Sequence, residues 1–192
     1  QIQGVIDMLN VKYLLFEEAS QQKVVDNPTA LGNAWTIDSL KVASSADDLL
    51  EQMKTLDFSN QALVLKNETP QNIPHRFNSD ATKEIYLISA KPTNLRYAFS
   101  ASEEQIVVFS EIYYPNGWYS EIDGKAVDHF PVNYVLRGIL VPAGNHTISF
   151  RFEPQVIKLG VFIRLISLLM FLLIVSFMVY DKIKNRINGD YS

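Results

Sequence analysis

An apolar run near the end of the chain constrains the fold more than any other stretch. From Leu165 to Tyr180 the sequence contains no charged residue, and from Leu159 onward Arg164 is the only one before Tyr180. A run of about 20 apolar residues matches the roughly 30 Å hydrocarbon core of a bilayer, where a helix satisfies its own backbone groups. We therefore predict a transmembrane helix over residues 156–180. The alternative is a buried core helix of a soluble protein, but such helices usually run shorter and show a polar face.

The charges on either side of this run predict its orientation. Lys182, Lys184 and Arg186 follow it directly, and such clusters mark the cytoplasmic side of a span. Residues 1–155 carry 12 Lys and Arg against 19 Asp and Glu, so this part of the chain is acidic. We predict a membrane protein whose residues 181–192 form a cytoplasmic tail and whose residues 1–155 are extracytoplasmic. An acidic domain also argues against nucleic acid as a partner.

Two further features of the sequence limit its chemistry and its origin. The chain has no cysteine, which excludes disulfides, thiolate catalysis and cysteine metal sites. It begins at Gln1 and shows no charged segment followed by an apolar signal sequence. We therefore expect either that a signal peptide has been removed or that the chain is the C-terminal piece of a longer protein.

Residues 1–66 predict a small α+β subdomain. A mostly buried strand is predicted over 11–16, followed by a polar loop over 17–27. The clearest helix spans 45–56, because Ser45 can cap its first amides and acidic residues follow at the positive end of the helix dipole. Short strands are predicted around this helix, over residues 34–37, 40–43 and 61–66.

The second half of the chain predicts strands only. Residues 67–83 are polar and contain prolines, which predicts a linker. Over 84–154, six or seven short strands separated by turns predict an antiparallel β-sandwich. The nearly continuous apolar run over 105–114 is typical of a central strand, and Asp123-Gly124 is a strong hairpin-turn signal. The predicted fold class is therefore α+β, mostly β, with one C-terminal transmembrane helix.

No catalytic set emerges from the sequence. His75, His129 and His146 lie far apart in predicted turns, and we interpret them as solvated loop residues. No two of them have the spacing of metal ligands, so we predict no metal site, no cofactor and no catalytic residue within this stretch.

Aromatic residues around two turns suggest a carbohydrate contact. The cluster contains Tyr113, Tyr114, Trp118, Tyr119, Phe130 and Tyr134, and we take Trp118, Tyr114 and Tyr113 as the candidate contact residues. An aromatic face can stack on the apolar C–H groups of a sugar ring. The alternative is that these rings fill the sandwich core and its corners. The carbohydrate hypothesis requires Trp118 or Tyr114 to be solvent-exposed on a shared face.

Two basic residues lie at the start of the predicted span. Arg164 lies about one and a half turns inside its outer end, and Lys158 lies nearer the outer surface. Long basic side chains in such positions can extend to the lipid headgroups. The functional alternative is that they contact a lipid phosphate or an acidic group on a neighbouring helix.

Four segments together resemble the C-terminal end of the bacterial YfhO family. They contain the order Asn-Gly-Trp, Asp-Gly-Lys, Pro-Ala-Gly-x-His, and they are followed by a final span. The segments are residues 7–15, 27–35, 116–125 and 141–152. The resemblance implies a large multi-pass membrane protein similar in layout to GT-C glycosyltransferases, which use a lipid-phosphate-linked sugar. In that class the catalytic acidic residue lies on an early outer loop, so the resemblance assigns no catalytic residue here.

Two functional hypotheses follow. The first is the non-catalytic extracytoplasmic domain and last helix of a glycosyltransferase that modifies cell-envelope glycans. Its partners would be the bilayer, the upstream spans of the same protein, and a lipid-linked sugar or envelope glycan. The second is a membrane-anchored β-sandwich that recognises envelope carbohydrate or a protein partner without any transferase.

Overall fold

The computed structural model describes residues 2–18, 21–71 and 73–189, and it divides into two compact units, Gln1–Phe152 and Glu153–Ser192. The predicted subdomain over 1–66, linker over 67–83 and sandwich over 84–154 all lie within the first unit. The first unit contains, in chain order, α1 (Ile2–Met8), β1 (Tyr13–Glu18), β2 (Gln21–Asp26), β3 (Ala34–Thr36), β4 (Ser39–Ala43), α2 (Ala46–Met53), β5 (Gln61–Leu65), β6 (Lys83–Lys91), β7 (Asn94–Ala101), β8 (Gln105–Ile112), β9 (Trp118–Ile122), β10 (Lys125–Val127), β11 (Phe130–Val132), β12 (Leu136–Val141) and β13 (Gly144–Phe152). The second unit contains α3 (Gln155–Gly189).

Two antiparallel sheets form a sandwich, which confirms the predicted fold class. One sheet has the strand order β10-β9-β13-β7-β6 and the other has the order β11-β12-β8-β3. The turn between β9 and β10 consists of Asp123 and Gly124, both at positive φ (52° and 78°), as a two-residue hairpin requires. β3 is the edge strand of the second sheet, although it comes from the N-terminal part of the chain.

Strand β8 is buried on both of its faces. Val107 and Phe109 point into the core between the two sheets. Ile106 and Val108 point into a second core, formed against the N-terminal helices and strands. All four side chains are fully buried, and neighbouring residues on a strand point to opposite faces. This burial on both faces explains why the run is apolar at consecutive positions instead of alternating. It also places β8 between the two cores of the unit.

The N-terminal layer is a small α/β arrangement that covers the outer face of the second sheet. β4 and β5 pair in parallel, and α2 connects them. Ser45 caps α2, since its side chain accepts a hydrogen bond of 3.2 Å from the Asp48 amide. The helix ends at Met53, three residues before the predicted end. Trp35 on β3 lies in this second core, and its indole N–H donates to the Phe58 carbonyl at 2.8 Å.

The strand predicted over 11–16 is present as β1, but its predicted burial and the loop predicted over 17–27 were wrong. β1 is exposed and not buried, with Tyr13, Leu15 and Phe16 each more than half accessible to solvent. The predicted loop over 17–27 contains the second strand of a hairpin, β2. Among the described residues β1 and β2 pair only with each other, and most of their residues are exposed to solvent. Local residue preferences predict a strand from such a run, but they do not reveal whether another layer packs on it.

Helix α3 contains the segment that the sequence predicts as a membrane span. Its residues Gln155–Lys182 form a 28-residue helix, with a mean hydropathy of 2.6 in its most apolar window, that is long and apolar enough to cross a bilayer. The predicted range 156–180 lies inside this helix. The Lys158 side chain and residues 190–192 of the predicted tail lie outside the part of the chain that the structure describes.

The two-sided burial of β8 generates a test with two phenylalanines in strands. Phe109→Ala removes a fully buried ring and leaves a cavity in the sandwich core, so we expect a loss of about 3–5 kcal/mol in unfolding free energy. Phe16→Ala removes a ring that is 52% exposed, and we expect a loss below about 1 kcal/mol. Denaturant unfolding of the chain in detergent, followed by near-UV circular dichroism, measures both. Equal losses for the two variants would contradict the assigned core.

Candidate functional site

A surface groove of about 500 Å³ lies beside the start of β9. The segment after β8, the strand β9, the end of β10 with the residues that follow it, and one residue of β13 form its walls. Its aromatic and charged lining residues are Tyr113, Trp118, Tyr119, Glu121, Asp128, His129 and Arg151. The lining therefore combines ring surfaces with carboxylates and other hydrogen-bonding groups.

The structure brings two of the three aromatic residues singled out in the sequence into this groove. Tyr113 and Trp118 line it and are half-buried, whereas Tyr114 is 51% exposed and is not among the lining residues. Tyr119, which belongs to the same aromatic cluster in the sequence but is not one of its three candidate contact residues, lines the groove and is 46% exposed. Neither Trp118 nor Tyr114 is fully buried, so the exposure that the carbohydrate hypothesis requires is present. Tyr114 lies outside the groove that Trp118 lines, and the carbohydrate contact itself stays a prediction.

Trp118 is held from inside the sandwich. Its ring lies 5.1 Å from the Phe152 ring, tilted by 45°, and these residues are cross-strand partners on β9 and β13. The Arg137 guanidinium lies 4.4 Å from the centre of the Trp118 ring. Contact on its inner side fixes the indole, so that only part of the ring remains available to the groove.

His129 takes a defined tautomer in the groove wall. The Ser120 hydroxyl donates to the Val127 carbonyl at 2.6 Å, so it accepts the hydrogen bond from His129 Nδ1 at 2.9 Å. The other ring nitrogen, Nε2, is buried without a hydrogen-bond partner among the described residues. Burial lowers the pKa of His129, and the nearby Arg137 charge lowers it further. The imidazole is therefore neutral at pH 7 and cannot act as a cation in the groove.

The charged lining residues are carboxylates and one arginine. Arg151 on β13 forms an ion pair with Glu121 on β9, and Asp128 is exposed nearby. Carboxylates and a guanidinium next to aromatic rings can accept and donate hydrogen bonds to hydroxyl groups while the rings cover apolar C–H surfaces. Such a lining suits a polar, uncharged ligand with both kinds of surface. Within the described ranges no three His, Asp or Glu side chains form a group that could hold a metal ion.

The interpretation of the three histidines as solvated loop residues is confirmed for His75 and was wrong for the other two. His75 is exposed in a bend, although its ring contacts the Leu40 carbonyl at 3.3 Å, whereas His129 is half-buried as described. His146 lies on β13, where its Nδ1 is 2.6 Å from Asp123 Oδ2 and its Nε2 is 3.2 Å from the Ala143 carbonyl. The contact with Asp123 joins a strand to a turn that is distant in sequence, so local sequence offers no signal for it.

The comparison with protein families includes the whole groove. The model of the family described as bacterial membrane protein YfhO matches residues 48–164. The chain belongs to the YfhO family. The matched region contains every residue that lines the groove and the first ten residues of α3, whereas the exposed β1–β2 hairpin precedes it. No curated protein and no solved structure matches the chain.

The sequence analysis did not identify Arg137 as part of the site in this YfhO-family chain, and it did not predict that His129 and Arg151 lie in one groove. Arg137 lies on β12 at a position whose strand neighbours Ile139 and Val141 face the sandwich core. A charge at a core-facing position of an apolar strand is a signal that the sequence does contain. Nothing in the sequence, by contrast, indicates that the side chains of His129 and Arg151 meet in one groove, because they lie on different strands and loops.

The contact between His146 and Asp123 generates a pH-dependent expectation. The Asp123 hydrogen bond raises the pKa of His146, and the same bond, followed by the Thr147 amide, lowers the pKa of Asp123. The histidine contribution to stability is full below its unfolded pKa of about 6.5 and is lost as the pH rises through the higher folded value. The aspartate contribution is full above its unfolded pKa of about 4 and is lost as the pH falls through the lower folded value.

We therefore expect His146→Gln to lower the unfolding free energy by up to about 1 kcal/mol between pH 4.5 and 6, and by less at pH 9. Denaturant titrations of the wild-type chain and the variant across this range measure the difference. Asp123→Asn is the matched control and should reduce the same pH dependence. A difference that is constant from pH 5 to pH 9 would contradict the ionic contact.

Proposed function

We propose that this YfhO-family chain is the extracytoplasmic C-terminal domain and last membrane helix of a multi-pass glycosyltransferase that modifies cell-envelope glycans. In this proposal the parent protein takes its sugar from a lipid-linked donor, and the residues of this chain perform no chemistry. The groove beside β9 binds the envelope glycan that accepts the sugar. Membership in a bacterial membrane protein family and the apolar helix α3 support the placement in a membrane.

The aromatic lining of the groove is the observation that carries the glycan contact. Tyr113, Trp118 and Tyr119 offer ring surface, and Glu121 and Asp128 offer acceptors for sugar hydroxyls. The neutral His129 adds no positive charge that would favour an anionic ligand. The groove volume of about 500 Å³ falls in the range of small-ligand sites, which is room for a few sugar units.

The charge pattern around α3 supports extracytoplasmic placement of the first unit. Basic residues follow the apolar segment, and such clusters are typical of the cytoplasmic side of a span. In this proposal residues 1–155 therefore lie on the other side of the membrane. A glycan-binding domain in this place can present an acceptor to a donor dissolved in the membrane.

Two tyrosines of similar exposure give a matched test. We expect Tyr119→Ala, which removes a ring from the groove, to lower affinity for soluble envelope polysaccharide about fivefold, because an aromatic contact contributes roughly 1 kcal/mol. Tyr114→Ala, which removes an equally exposed ring outside the groove, should leave the affinity unchanged. Titration calorimetry of the chain in detergent measures both. Equal effects of the two variants would exclude this groove as the binding site.

Transfer is tested in the full-length protein. A strain that lacks the gene should lose one glycan modification and accumulate the lipid-linked sugar. Complementation with the full-length Tyr119→Ala variant should restore the modification less well than complementation with Tyr114→Ala. An unchanged glycan profile in the deletion strain, together with polysaccharide binding by the chain, would leave the alternative of an anchored binding module.

We further propose that Arg164 contacts a lipid phosphate. It lies on α3 inside the apolar window and has no acidic residue within one helical turn along the sequence. We expect Arg164→Ala to lower the preference of the chain for nanodiscs containing anionic over zwitterionic lipid by about fivefold, since one charge contributes about 1 kcal/mol near a membrane surface. Arg164→Lys keeps the charge and should keep the preference. If Arg164→Ala changes neither the lipid preference nor the activity, the phosphate contact is rejected and the side chain merely extends to the headgroups.

A further inference from the structure

Arg137 is a buried cation with few partners. The residue is 1% exposed, and its Nε and Nη1 atoms have no hydrogen-bond partner among the described residues. Its Nη2 lies 3.6 Å from Glu111 Oε2, which is an ion pair at the long end of the usual range. A guanidinium stays protonated in proteins, so a charge and two unsatisfied donors are removed from water here. This burial is costly, and the Glu111 contact alone offsets it poorly.

Two aromatic rings supply the remaining contact. The Arg137 guanidinium lies 4.4 Å from the centre of the Trp118 ring and 4.6 Å from the centre of the Phe150 ring. A cation at such distances is attracted to the face of an aromatic ring, and more strongly when water is excluded. Phe150 is fully buried and packs edge-on against Phe109 at 4.8 Å, so this end of the stack is fixed in the core.

Trp118 is the only member of this stack that lines the groove. Phe150 and Arg137 are buried, whereas Trp118 is half-buried and forms part of the groove wall. Because the guanidinium contacts a ring that is fixed in the core, it also restricts the position of the Trp118 ring at the surface. An apolar side chain of similar volume would fill the same space without a desolvation cost, but it would not attract the indole face.

We propose that Arg137 is the positioning residue of the groove, and that its buried guanidinium holds the Trp118 ring in the orientation that a sugar meets. The expected effect on glycan affinity rests on the proposed function, whereas the contacts of Arg137 with the two rings do not depend on it. Arg137 itself does not touch the ligand. Its role is to restrict the rotamers of Trp118 before binding, which reduces the entropy lost when a glycan binds.

The two tryptophans of the chain, Trp35 and Trp118, allow a direct test. The chain is labelled with 5-fluorotryptophan and studied by fluorine NMR in detergent, and the Trp118→Phe variant identifies the Trp118 signal. In Arg137→Met we expect the Trp118 signal to shift and broaden, while the Trp35 signal stays in place, because Trp35 lies in the other core. The affinity for soluble envelope polysaccharide should fall about 10-fold in the same variant.

The conservative variant and the second signal separate positioning from folding. Arg137→Lys keeps the charge but loses the planar face, so it should show an intermediate shift of the Trp118 signal. An unchanged Trp118 signal in Arg137→Met would overturn the proposal. Displacement of both signals in Arg137→Met and in Arg137→Lys would also overturn it, in favour of a purely structural role. If the wild-type chain binds no polysaccharide, the proposed glycan contact fails, while the NMR signals still decide the role of Arg137.

Discussion

The burial of strand β8 on both faces is the constraint on which the rest of the first unit depends. Val107 and Phe109 belong to the core of the sandwich, and Ile106 and Val108 belong to the core beneath the N-terminal layer. One strand thus contributes fully buried side chains to two hydrophobic cores. Alternate residues of a strand face opposite sides, so each side of β8 supports one layer. The loss of either layer would expose buried apolar side chains of β8 to water.

The groove lies at the surface of the first unit, beside the end of β8 and the start of β9. Its wall begins directly after β8, and the cross-strand pair of Trp118 and Phe152 continues it onto the five-stranded sheet. The sandwich core reaches the groove through Phe150 and Arg137, which stack beneath Trp118. Buried side chains therefore set the geometry of this surface site. The contact of Arg137 with Trp118 gives a physical reason for a buried cation whose hydrogen bonds are incompletely satisfied.

The second unit supports the assignment of this chain to a membrane. The family is one of bacterial membrane proteins, and α3 is long and apolar enough to span a bilayer. The proposed role in envelope glycan modification depends on this property, because the donor lipid and the acceptor glycan must meet at the membrane surface.

Much of this protein was already determined by the sequence, because the deciding features are local or periodic. The apolar run over 156–180, the capped helix after Ser45, the Asp123-Gly124 turn and the sandwich strands each depend on a few neighbouring residues. Tertiary structure alone decided which elements meet. It paired β3 with β8, left the β1–β2 hairpin exposed, and joined His146 to Asp123. It also placed Tyr119, but not Tyr114, in the groove, because the direction of a side chain is set by the strand and turn around it and not by residue type.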